Sequence, residues 1–394
     1  MTMRTKFRWL YTFFATVSLL VLCYYHDNYA YLFGEDTTLF TALETHLQRT
    51  SSSVFIRDSV VFINTGYDLQ LVDTEHGKEV ITHRQHLSQL LQDIAKTDYK
   101  YVLVDIRFEQ GDTTSDDAAL FDVIKSMSPK IMIAKHWDYN QKRDFPLADS
   151  SLNSLAAYCD YTSSLFKTAF EKYQYVQNGG ASAALRVYSD LTGKMVHPQF
   201  PGIFRDGHQL CLNSLFLYIP EDFSKSRMRW NGKNKYWNLW EDFYGPYSIA
   251  EERDAIFPDM FRNKIIVIGD YVNDCHDTYL GKQPGPYLHL LAYDSLRRGK
   301  HIISFWYILL LSVIYYALFY QIFNQVRLIY KIPFVRKSKS RLVHFLISLV
   351  GYTFILALAS GFAYILFQRP VSIFLPTIIF SIVDTFYKYT HYEA

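Results

Sequence analysis

KIIVIGDYVNDCHDTYLGKQPGPYLHLLAYDSLRRG, residues 264–299, decides the fold. Its first six residues are an apolar, β-branched run closed by Gly269, the composition of a strand buried on both faces of a sheet. A polar loop follows, and residues 286–299 then read as a helix ending at Gly299. Upstream, 59–64 (SVVFIN) reads as a buried strand with a turn at Thr65-Gly66. Residues 82–96 place Leu87, Leu90, Leu91 and Ile94 at helical spacing, one buried face of an amphipathic helix. KYVLVDI (100–106) is a second strand, Ser115 opens a helix with Asp116 and Asp117 in its first turn, and KIMIAK (130–135) is a third strand. Strand–helix–strand–helix–strand at this spacing predicts an α/β domain with a mainly parallel sheet and right-handed crossovers. Between 137 and 245 the pattern thins. There 184–189 reads as a strand, 207–218 as a helix, Gly179-Gly180 as a turn and 226–247 as an irregular connection.

The chain has 394 residues and a formal net charge of +2, a balance that excludes a nucleic-acid partner, since the soluble part has no dense basic stripe. Apolar residues gather at the two ends. Residues 9–25 (WLYTFFATVSLLVLCYY) carry no charge and follow Arg4, Lys6 and Arg8, which predicts an uncleaved anchor starting in the cytoplasm. Three more spans are expected at about 304–323, 342–366 and 371–387. The loop 324–341 holds Arg327, Lys331, Arg336, Lys337, Lys339 and Arg341, and short basic loops stay inside. The expected organisation is therefore residues 1–25 as N-terminus and first helix, 26–301 as an extracytoplasmic domain, and 302–394 as three helices with that cytoplasmic loop. Both termini are then cytoplasmic. Pro376 is expected to kink the last helix, and Asp384 to snorkel to the interface. Of the four cysteines, Cys159, Cys211 and Cys275 fall in the domain; free thiols and a Cys159–Cys211 bridge both stand open. The 32 Tyr and 30 Phe exceed what membrane edges explain.

Ligands of open parallel sheets bind beyond the carboxyl ends of the strands. Those ends supply Asn64 and Tyr67, then Asp105 and Arg107, then Asp270, Asn273, Asp274, His276 and Asp277. Such a mostly acidic cluster suits a metal, an acid–base pair or a small polar ligand. Loop Asp and Asn also close turns and cap helices, which is the competing structural role. No established metal spacing, nucleophile elbow, Walker loop or HExxH helix is present, so no catalytic residue, metal ligand or cofactor is assigned. His289, among Leu288, Leu290 and Leu291, reads as a structural histidine.

With Ile268-Gly269, Asp277, Pro284-Gly285, His289, Leu296 and Gly299, residues 261–300 resemble the closing motif of the second type of CHASE domain, a bacterial extracytoplasmic sensor. Arg84 ahead of the VLVDIRF strand, Asp105 and the acidic helix start at Asp116-Asp117 are similar to its opening half. Here, however, position 108 is Phe and the acidic residue is Glu109. One span before the domain and three after it also match. The resemblance implies a sensor of the bacterial inner membrane that reads an unknown extracytoplasmic ligand. With the chain ending at Ala394, it implies a separate membrane or cytoplasmic effector in place of an attached output domain. An assembly subunit of an envelope complex and a periplasmic hydrolase are the rival expectations.

Overall fold

The structure is a computed structural model. It describes residues 3–28, 51–74, 77–161, 172–194, 196–200, 202–217, 229–230, 233–234, 236–245, 253–278, 281–324, 340–367, 369 and 371–392. Most of the basic loop 324–341, and residues 368 and 370, lie outside them. The chain divides into two compact units: Gln48–Ser163 with Thr168–His301, and Met1–Leu47 with Ser164–Lys167 and Ile302–Ala394.

The first unit is built on a six-stranded sheet. Its strands are β1 (Val60–Asn64), β2 (Tyr101–Asp105), β3 (Ile131–Lys135), β4 (Ala156–Tyr158), β5 (Trp237–Asn238) and β6 (Ile265–Gly269). The spatial order is β5-β1-β6-β2-β3-β4, and every pairing is parallel. The chain lays down β1 to β4 in one direction, returns to the opposite edge for β5, and inserts β6 between β1 and β2. Gly269 is thereby set opposite Asn64 on one side and Asp105 on the other.

Both faces of the sheet are covered, which is why its strands lack polar alternation. On one face Ile63, Val102, Val104, Ile133 and Ile268 pack with Leu87, Leu90 and Leu91 of helix Arg84–Ala95 and Leu120 and Ile124 of helix Asp117–Ser126. Helices Ala183–Thr192 and Gly285–Arg297 pack on each other and on the sheet, and the second is buried along nearly its whole length. Each aliphatic side chain so enclosed contributes roughly 1.5–3 kcal/mol.

The tyrosine excess has a structural use here. Tyr101 donates to Asp190 (2.5 Å), Tyr158 to Asp144 (2.6 Å), Tyr188 to Asp206 (2.8 Å) and Tyr244 to Asp93 (3.0 Å). Each ring adds apolar area while its hydroxyl satisfies a carboxylate.

Two expectations for the middle of the chain are corrected. Residues 184–189 lie in a helix, Ala183–Thr192, capped by the Ser182 hydroxyl accepting from Leu185 N (3.4 Å) and stopped by Gly193 at φ 67°. A serine cap and a left-handed glycine outweigh a short β-like composition. Of the expected helix 207–218, the described residues 207–217 are not helical: Ile203–Asp206 and Gln209–Leu212 pair antiparallel around Gly207 (φ 58°), and Ser214–Phe216 pairs with Lys172–Gln174. Gly179 does sit in a turn, between Val176–Gln177 and Gly180–Ala181. None of the four cysteines is in a disulfide, so Cys159 and Cys211 form no bridge.

Among the described residues of the second unit, three helices are long and apolar enough to cross a membrane: Phe7–His26, Phe305–Asn324 and Arg341–Phe367. Val350, Phe354, Leu358 and Phe362 form an exposed apolar stripe on the last of them, the reverse of a water-soluble helix. A further helix, Phe374–Tyr392, is more polar and carries Asp384 and Lys388. It packs on Arg341–Phe367 and centres Phe380 among Phe319 (4.7 Å), Tyr352 (5.4 Å) and Tyr315 (5.8 Å). Pro376 lies in its first turn, where a missing N–H costs nothing, so it opens the helix and makes no kink within it. Asp384 does not snorkel. It is buried, accepts from Ser348 Oγ (2.9 Å) and lies 3.4 Å from His344 Nε2, because interior polar partners satisfy it better than a path to the interface.

Candidate functional site

The parallel sheet brings the carboxyl ends of β6, β2, β3 and β4 side by side, and there a cleft of about 630 Å³ opens. It is lined by Asp105, Arg107, Asp270, Asp274, His276 and Asp277, six of the nine strand-end residues singled out from the sequence; Asn64, Tyr67 and Asn273 do not line it. Glu79, Asp112, Asp160 and His136 join them, so carboxylates outnumber cations.

The roles of these side chains differ. Asp270 closes a turn: Oδ1 accepts from Val272 N (2.8 Å) and Asn273 N (2.7 Å), and Oδ2 from Asn273 Nδ2 (2.9 Å). Asn64 does the same for Gly66 N and Tyr271 N, both at 3.0 Å. Tyr67 and Asp277 are exposed. Asp274 Oδ1 lies 3.1 Å from His276 Nε2, and the His276 ring packs on Tyr161 with centroids 3.9 Å apart. Arg107 offers its carbonyl to Arg84 Nη2 (2.9 Å) from inside the domain.

Two motif glycines have steric causes. A Cβ on Gly269 would stand 2.5 Å from Pro286 Cγ and 3.2 Å from the Asp105 carbonyl, so only glycine lets the final helix close on the sheet. A Cβ on Gly285 would overlap the Asp274 carboxylate. Pro284, in extended backbone, precedes the helix as its cap residue.

The floor of the cleft is Asp105, whose side chain is only 7% exposed. Among the described residues none hydrogen-bonds its Oδ2, which lies 3.4 Å from His289 Nε2. Burial, then the nearby Asp274 charge, raises the Asp105 carboxyl to about 7. His289 is fully buried, and desolvation lowers it to about 3, so its imidazole is neutral. Tyr161 Oη lies 2.7 Å from Nε2 and donates to the Gly285 carbonyl (2.7 Å), while Tyr173 Oη lies 2.7 Å from Nδ1. A Tyr161 proton committed to that carbonyl places the imidazole proton on Nε2 and leaves Nδ1 to accept from Tyr173.

Beyond the sequence-derived set, the segment just after β4 contributes Cys159, Asp160 and Tyr161. Cys159 is buried, and burial, then Asp105, raises its thiol well above the ordinary range. Asp160 ties His136 Nδ1 (3.3 Å) to Trp137 N (3.1 Å). Strand β4 is three residues long, too short to show as a pattern; the signal present was Tyr158-Cys159-Asp160-Tyr161 after an apolar run. Asp105, Cys159 and His289 each offer a ligand atom, and these atoms lie within 4.8 Å of one another. No family model, curated protein or solved structure matches this chain, so the site's own geometry carries its chemistry.

Proposed function

We propose that this chain is a membrane-anchored receptor whose α/β domain lies outside the cytoplasm and takes a small polar or cationic ligand in the cleft at the carboxyl edge of the sheet. The observation that carries the reading is the desolvated Asp105 carboxyl at the base of an acidic cleft, with one oxygen, Oδ2, that receives no hydrogen bond among the described residues. An unpaired buried carboxylate oxygen costs stability, and a bound cation or donor offsets that cost. From the helix that carries His289 beside Asp105, which ends at Arg297, the chain passes through residues 298–304 to the apolar helix Phe305–Asn324, so a change at the cleft has a covalent route toward the bundle. Helix Phe374–Tyr392 serves as the fourth span, supported by its packing around Phe380. Arg4, Lys6 and Arg8 and the basic loop 324–341 orient the chain with both termini inside a bacterial inner membrane.

Two measurements on the full chain test this reading. Protease added to intact spheroplasts is expected to cut the domain, and full protection overturns the topology. A screen of small polar and cationic compounds is expected to yield ligands that raise the melting temperature of wild type and not of Asp274→Ala. A stoichiometric co-purifying protein with no such compound replaces the receptor with an assembly subunit.

A further inference from the structure

We propose that the base of this cleft is a binding site for a zinc-class divalent cation, held by Asp105 Oδ2, Cys159 Sγ and His289 Nε2, with its remaining position open to the cleft. The proposal rests on the receptor reading only in treating that ion as part of what the domain detects.

Geometry comes first. The three donor atoms lie within 4.8 Å of one another and come from separate elements: the end of β2, the residue after β4 and the interior of helix Gly285–Arg297. Nitrogen and oxygen ligands at 2.0–2.2 Å from a tetrahedral zinc stand about 3.4 Å apart. His289 Nε2 and Asp105 Oδ2 are 3.4 Å apart. Asp105 supplies the independent sign of a missing partner, being more than nine-tenths buried with Oδ2 unbonded.

The donor set selects the class of ion. One thiolate, one imidazole and one carboxylate suit zinc and its neighbours; calcium and magnesium take oxygen ligands. Asp270, an obvious oxygen donor nearby, is consumed by its turn.

The surroundings can release the ligands. Tyr161 Oη contacts Nε2 but keeps its own acceptor, the Gly285 carbonyl, when the ion takes that nitrogen. The imidazole proton then sits on Nδ1, which donates a hydrogen bond to Tyr173 Oη, while the Tyr173 hydroxyl proton turns from the ring toward its other partner, Ser182. Binding also releases the Cys159 thiol proton and any proton on Asp105. Both Asp105 and Cys159 line the cleft, so an ion reaches them from solvent, past Asp274 and His276.

The experiment uses the full-length protein in detergent, stripped with EDTA and titrated with Zn²⁺, Co²⁺ and, as an oxygen-seeking control, Ca²⁺. One equivalent of Zn²⁺ is expected to bind and raise the melting temperature, and Co²⁺ to give a thiolate-to-cobalt absorption band. Cys159→Ser should remove the band, and Asp105→Asn should weaken binding at least about ten-fold, both with unchanged circular dichroism. Tyr161→Phe, which frees Nε2, should bind as tightly or more tightly. Absence of the band, binding undiminished in Cys159→Ser, or Ca²⁺ competing equally with Zn²⁺ overturns the proposal. An organic ligand that stabilises the EDTA-treated protein leaves the receptor standing and removes the metal. Tight Zn²⁺ binding by a domain shown to be cytoplasmic keeps the metal and removes the receptor.

Discussion

Replacing Arg84 by Met tests how the wall of the cleft is held. Arg84 is 1% exposed, its guanidinium lies 4.7 Å over Phe108, Nε is 3.4 Å from Asp117 Oδ1, and Nη2 donates to the Arg107 carbonyl at 2.9 Å. Burial lowers the Arg84 pKa, so the cation is held at a cost that Asp117 partly offsets. Removing one partner of a buried pair costs about 3–5 kcal/mol, because the other charge stays behind. Asp117 is cushioned, since it accepts from Thr114 N (3.0 Å) and Oγ1 (3.2 Å) and opens a helix whose dipole favours it. Methionine also keeps most of the apolar volume. The lower end applies, about 3 kcal/mol, or a fall in melting temperature of roughly 6–12 °C for a domain of this size. Arg84→Met with Asp117→Asn should recover most of that loss, because no charge is left buried. Thermal unfolding of the full chain in detergent, followed by near-ultraviolet circular dichroism, reads both. A single variant within about 1 kcal/mol of wild type, or a double variant no better than the single, refutes the reasoning.

Three further outcomes follow from other contacts. Gly269→Ala should cost about 1–3 kcal/mol by driving Pro286 and the final helix off the sheet, read as a lowered melting temperature; an unchanged value shows that the helix yields freely. Asp206 is desolvated, which by itself raises its pKa, but bonds from Tyr188 and Lys194 and the nearby His301 pull it below the ordinary carboxylate range. Its contribution is therefore present above the unfolded carboxylate range and lost as pH falls below about 4, so Asp206→Asn should flatten the acid limb of a stability–pH curve. In the helical unit, a double-mutant cycle on Ser348→Ala and Asp384→Asn should give a coupling of about 1 kcal/mol, and zero coupling contradicts the 2.9 Å bond.

Local chemistry legible in the sequence determined much of this protein. The buried β-branched runs at β1, β2, β3 and β6 could satisfy their backbone and bury both faces only in a covered parallel sheet. The long uncharged stretches specified three apolar helices by length alone. The clustering of Asp105, Asp274 and His276 followed too, because parallel strands bring their carboxyl ends to one edge. Tertiary structure decided the rest. The insertion of β6 between β1 and β2, and the pairing of the two- and three-residue strands β5 and β4, depend on long-range partners that no local pattern encodes. Cys159 and Tyr161 reach the site only through the pairing of β4, and Tyr173 only through the pairing of Lys172–Gln174 with Ser214–Phe216. Asp384 shows the same limit: whether a polar side chain inside an apolar stretch turns outward or inward depends on partners such as Ser348, which lies far away in sequence and beside it only after folding.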